Sequence, residues 1–164
     1  MSSYIKISIG IFLLIAVSRF VPHPPNFTSL IALSFYVPAI LGKKYIPISM
    51  LSFAISDIFI GFHGVIFFTW GSILIISFLP KLFKNNIFNR LLGSIAGATI
   101  FFIITNFGVW LIGHYEYSIE GLILCYTLAI PFYTYTLIST ILFAALIETI
   151  IKIFSKKFNT QLNS

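Results

Sequence analysis

The chain has 164 residues, of which 59% are hydrophobic and 9% charged, with a mean hydropathy of +1.03. A soluble domain carries about 25% charged residues, so a chain this apolar cannot cover a water-facing surface and reads as lipid-embedded. The formal net charge of +6 does not mark a nucleic-acid binder, because the basic residues flank apolar runs and form no continuous stripe, and the one cysteine, Cys125, excludes an internal disulfide.

A helix needs about 20 apolar residues to cross a bilayer. The first candidate covers residues 4–21 and ends at the turn Pro22-His23-Pro24-Pro25-Asn26, since proline disfavours helix in the residue before it. Its apolar stretch and small residues Ala16 and Ser18 also have the make-up of a secretion signal, but the rest of the chain is equally apolar, which favours an uncut first crossing. The second covers 28–42, kinked by Pro38 and stopped by Lys43-Lys44. The third covers 46–60, with Pro47 suited to a first helical turn, and Gly61-Phe62-His63-Gly64 breaks it. The fourth covers 65–80, and the polar stretch 81–90 follows. The fifth covers 91–113, with a loop at 114–120. Residues 121–131 are apolar but too short to cross, and are expected to form a separate short helix on the outer side. The last crossing covers 132–154, where Glu148 and Lys152, spaced i, i+4, are expected to pair.

The predicted fold is therefore all-α: a polytopic membrane bundle of about six transmembrane helices, one domain over 1–155, and a short polar tail over 156–164. Its orientation follows from charge. Lys43, Lys44, Lys81, Lys84, Arg90, Lys152, Lys156 and Lys157 fall at one end of successive segments, and basic residues in short loops stay cytoplasmic. His23, Asp57, His63, His114, Glu116 and Glu120 fall at the other end. Both termini are then cytoplasmic, in an inner-membrane, multi-pass protein. Segments two to four, at about 15 residues and 1.5 Å per residue, span only about 22 Å and leave a funnel under the outer loops.

Recognition chemistry is sparse and gathers at the histidine end. Asp57, about one turn inside a helix end, is a functional candidate by its cost at membrane depth, and equally a structural partner for Arg19. The prolines around His23 stiffen its turn and hold His23 and Asn26 in place; Asn26, Thr28 and Ser29 compete to cap the next helix. His63 follows Asp57 by six residues. Trp70 is an interface anchor or a pocket wall. Asn106 and Trp110 share a helix face, and an asparagine in an apolar helix needs another helix or a ligand as partner. Tyr126, Tyr133, Thr134, Tyr135 and Thr136 give an aromatic, hydroxyl-bearing rim. Glu120 suits the first turn of the short 121–131 segment. The sequence has no GxxxxGK[ST] loop, no HExxH, no GxSxG elbow and no zinc-ligand spacing, so no cofactor or metal is expected.

The stretches RFVPHPPNFT at 19–28, SDIFIGFH at 56–63, TNFGVW at 105–110 and CYTLAIPF at 125–132 resemble a family of small bacterial integral membrane proteins, transport-type and of unknown function. That family is in turn similar, more distantly, to the substrate-binding S components of energy-coupling factor vitamin transporters. The resemblance implies a binding subunit with an extracytoplasmic pocket under loop lids, working with a coupling transmembrane subunit and ATPases. Relatives carry an Asn-Thr and a Gly-Asp pair where this chain has Tyr135-Thr136 and Ser139-Thr140, and Ser8, Gly10 and Ala16 lack the small-xxx-small spacing of a docking helix.

Three functions fit these residues. The first is a binding and transport subunit for a small vitamin-like molecule, surrounded by Arg19, His23, Asn26, Asp57, His63, Trp70, Asn106, Trp110 and Tyr126, with no catalytic residue. The second is an intramembrane enzyme using His23, Asp57 and His63 as acid and base on a lipid or isoprenoid. The third is a structural membrane protein whose polar groups satisfy one another and leave no outer cavity.

Overall fold

The computed structural model describes residues 3–162, and the side chains of 4–153. Among the described residues there are six helices and no strand. They are α1 (Ser3–Phe20), α2 (Leu30–Leu41), α3 (Ile46–Ile60), α4 (Ile66–Phe78), α5 (Ile87–Val109) and α6 (Ile119–Leu162). Short 3-10 turns follow α2 and α4, and a π-helical turn, Trp110–His114, extends α5. Two helical stretches, Ile87–His114 and Ile119–Ile153, are long and apolar enough to cross a membrane; Leu30–Leu41 and Ile66–Leu82 are apolar but shorter.

The turns follow the local chemistry. Asn26 takes φ +62°, a left-handed conformation that asparagine tolerates among non-glycine residues. Ser29 occupies the N-cap position of α2 without a side-chain cap, and Thr28 Oγ1 accepts from the Leu30 N–H at 3.4 Å. Asn86 caps α5, accepting from Asn89 N at 2.9 Å. Gly113, at φ +84°, makes the turn that ends α5, a conformation that a side chain would strain. Ser118 caps α6 by accepting from Gly121 N at 3.0 Å, with Glu120 in the first turn.

One expectation is overturned here. Residues 121–131 are not a separate helix, because α6 runs unbroken through Pro131 to Leu162. Proline removes one N–H, but Pro131 lies on the exposed face, and Thr127 and Thr134 return hydroxyls to the carbonyls of Ile123 (2.7 Å) and Ile130 (3.1 Å). In apolar surroundings, breaking the helix would strand more backbone groups than continuing it. The same helix covers positions 156–162 of the expected tail, whose side chains, with residues 163–164, lie outside the described residues.

α2 is the hub. Nine consecutive residues, from Leu30 to Pro38, are buried, and the helix packs against α3, α4, α5 and α6. An element apolar all round must be enclosed on every side. Close approach to α5 is possible because a Cβ on Gly93 would run into the Phe35 ring.

α3 and α4 turn their polarity inward. Ser49, Ser52, Ser56 and Asp57 of α3 and Thr69, Ser72 and Ser77 of α4 are buried, while Leu51, Ile58, Phe59, Phe67 and Ile75 are exposed. Each buried hydroxyl donates to a carbonyl three or four residues back, for example Ser52 to Ile48 at 2.6 Å and Ser72 to Thr69 at 2.8 Å. Small hydroxyl residues let the helices approach, and the bulky side chains face out.

Glu148, expected to meet Lys152, also takes a longer-range partner. Both Glu148 oxygens are held by Arg90, from Nε and Nη2 at 2.7 Å each, which ties the start of α5 to α6 across 58 positions of sequence. A planar guanidinium matches a carboxylate in two places at once, which an ammonium does not.

Candidate functional site

The chain runs up and down, so Arg19, His23, His63 and Asn106 arrive at one end of the bundle. There a cavity of about 400 Å³ opens between α2, α5, α6, the end of α1 and the loops over 22–29 and 61–65. Arg19, His23, Asn26, His63 and Asn106 line it. Its apolar wall includes Phe53, Phe101, Phe102 and Phe132, and its hydroxyls come from Thr28, Thr69, Thr105, Tyr133 and Thr136.

Asp57 and Trp70 stand behind the wall and set Arg19. Asp57 is 1% exposed; its Oδ1 meets Arg19 Nη2 at 2.6 Å, and its Oδ2 accepts from Trp70 Nε1 at 2.7 Å. Arg19 Nη1 also donates to the Phe53 carbonyl at 3.3 Å and to Ser56 Oγ, and the guanidinium lies 4.6 Å from the centre of the Phe53 ring. The carboxylate compensates the arginine in place, and contacts from both Nη1 and Nη2 hold the guanidinium.

Trp110 and Tyr126 lie away from the cavity wall. Trp110 Nε1 donates to the Glu116 carbonyl at 2.9 Å, and its ring meets Tyr117 edge-on at 5.7 Å, so it closes the connection from α5 to α6. Tyr126 donates to the Ile103 carbonyl at 2.7 Å and meets Phe102 edge-on at 5.5 Å, backing the wall from outside.

Three groups give the cavity its hydrogen-bonding character. Asn106 Nδ2 donates to the Phe102 carbonyl of its own helix at 2.7 Å, leaving Oδ1 as an acceptor without a donor among the described residues. His23 Nδ1 lies 2.7 Å from the Pro24 carbonyl. A carbonyl only accepts, so Nδ1 carries a proton in this bond, and Nε2 takes no part in it. Tyr133 Oη shares a 2.8 Å hydrogen bond with Thr99 Oγ1, and its ring lies 4.6 Å from that of Phe102.

No acidic side chain lines the cavity. Among the described residues no three His, Cys, Asp or Glu side chains converge. The site can therefore hold a compact, mostly apolar molecule by ring contacts and orient it with acceptors and hydroxyls. Beside it, an apolar cleft of about 540 Å³ runs between α1 and Phe143 of α6, and His23 belongs to both walls.

Phe101, Phe102 and Phe132, among so many phenylalanines, carried no sequence signal that distinguished a wall from a lipid face. Thr136 belongs to the hydroxyl-bearing rim expected from the sequence, and Thr105 could have been found because it precedes Asn106.

The chain matches a family model described as "Family of unknown function (DUF6580)" over residues 2–162. No curated protein and no solved structure matches it.

Proposed function

The chain belongs to this family of unknown function, DUF6580, and from the site we propose that it is a membrane-embedded binding subunit for a small, uncharged, vitamin-like molecule. In this reading six helices cross the bilayer, both termini are cytoplasmic, and the cavity opens to the extracytoplasmic side of the inner membrane.

The observation that carries it is the 400 Å³ cavity at the histidine end, lined by aromatic rings and a few converging polar groups. Its size falls within the range of about 300–1,000 Å³ usual for small-molecule sites. The reversed polarity of α3 and α4 supports immersion in lipid, since water would favour the opposite arrangement. The lysines at the far end support the orientation. Because Asp57 neutralises Arg19, an uncharged ligand fits better than an anion. An open cavity beside the Arg19–Asp57 pair also speaks against a purely structural protein, whose polar groups would close on one another.

The chain carries no phosphate loop, so movement of the ligand across the bilayer would draw on a coupling transmembrane subunit and ATPases. The test is native mass spectrometry of the protein purified in mild detergent. A small molecule retained by the wild type and lost from Asn106→Ala and Tyr133→Phe is the expected result. A cavity that carries nothing, after expression in rich medium and across a vitamin panel, would refute the reading.

A further inference from the structure

A second cavity, of about 370 Å³, opens at the opposite end of the bundle. Its walls come from the last turns of α2 and α4, the turns that follow them, and the start of α5. Lys43, Lys81, Lys84 and Arg90 all line it, and no acidic side chain does. Arg90 is engaged by Glu148 on two nitrogens and by Asn85 Oδ1 at 2.8 Å on a third. Among the described residues no ion pair involves Lys43, Lys81 or Lys84.

We propose that this basic cavity binds a phosphate-bearing anion, held by Lys43, Lys81 and Lys84 with Arg90 as a rigid floor. Convergence is what carries the inference. Orientation by charge requires only that lysines lie near one end of the bundle, and lysines pointing in any direction would satisfy it. Here two connections distant in sequence, after α2 and after α4, bring lysines to one concave space beside Arg90, with no carboxylate on its wall. Lys44 is the contrast built into the chain: it follows Lys43 directly and is absent from the wall. Gly42, at φ +93°, makes the sharp turn that starts the 3-10 segment at Lys43. A phosphate offers several oxygens and at least one full negative charge in a compact group, which suits three ammonium groups and one fixed guanidinium.

The same group could come from an anionic lipid headgroup or from a soluble phosphate compound, and the experiment separates them. The full chain in mild detergent is titrated with phosphatidylglycerol, with phosphatidylcholine, and with inorganic pyrophosphate, and bound species are counted by native mass spectrometry. Phosphatidylglycerol or pyrophosphate binding is expected to weaken about fivefold in each of Lys43→Gln and Lys84→Gln, and about 25-fold in the double variant. Lys44→Gln removes the same charge outside the cavity and is expected to bind as the wild type does. Retention of phosphatidylglycerol alone identifies the headgroup, and retention of pyrophosphate identifies the soluble compound. Failure to bind either anion, an equal loss in Lys44→Gln, or binding of phosphatidylcholine as strong as that of phosphatidylglycerol overturns the proposal. Circular dichroism confirms that each variant is folded, and the outcome does not depend on whether the opposite cavity holds a ligand.

Discussion

Arg19–Asp57 and Arg90–Glu148 use the same two functional groups at opposite ends of the bundle, yet they do different things. Asp57 sits on a short stem, is 1% exposed, and is shared between Arg19 of α1 and Trp70 of α4, so one carboxylate on α3 ties three helices. Glu148 is 8% exposed and gives both oxygens to Arg90, joining α5 to α6, with Tyr36 of α2 against the pair. The first pair leaves its cavity with the Arg19 charge compensated, because the Asp57 carboxylate lies directly behind the wall. The second leaves its cavity basic, because three lysines remain uncompensated. An ion pair therefore does not set the character of a site by itself; what surrounds it does.

The contrast between the ends breaks outright if they do not lie on opposite sides of a membrane. In a Cys125→Ala background, a cysteine introduced as His114→Cys should react with an impermeant maleimide in intact cells. Lys81→Cys should react only after permeabilisation. The reverse pattern would exchange the two faces.

The next largest effect is expected at Asp57. Asp57→Ala removes a buried carboxylate and leaves Arg19 and Trp70 without it, and should cost about 3–5 kcal/mol in a reversible unfolding titration in detergent. Replacing both partners, Arg19→Met with Asp57→Leu, should recover most of that loss, because the stranded charge is then gone. Glu148→Ala should cost less, about 1–3 kcal/mol, since Arg90 keeps Asn85 and Glu148 is less deeply buried than Asp57. Equal losses at the two positions would remove the distinction between the two pairs. Smallest in stability is Asn106→Ala, at under about 1 kcal/mol, because its amide bonds only within its own helix. Its effect should fall on ligand retention, weakened about tenfold through loss of the Oδ1 acceptor. A large loss of stability there would mark Asn106 as structural.

Legibility differed along the chain for physical reasons. Helix positions were readable because prolines and glycines punctuate long apolar runs: α3 falls on the expected 46–60, and α1 and α5 lie close to expectation. Pro131 misled, because a proline signals a break only where freed backbone groups can find other partners. The serines of α3 and α4 recur at helical spacing, Ser49, Ser52 and Ser56 among them, and could have revealed which face turns inward. Arg19–Asp57 was legible because few charges lie at that end. Arg90–Glu148 was not, since Lys152 offered a nearer partner one turn away.

The sequence by itself determined that this chain is helical, how its segments alternate, and which end gathers histidines and which gathers lysines. Those properties are local: they follow from composition, turn residues and the sign of charge. Only the tertiary structure decided that α2 is enclosed on every side, that Asp57 turns to Arg19 and Trp70 instead of the cavity, and that Phe101, Phe102 and Phe132 form a wall. In a chain where nearly every helix face is apolar, hydrophobic pattern cannot say which face meets a neighbour and which meets lipid. That choice is made by the fit of small residues against large ones across helices distant in sequence.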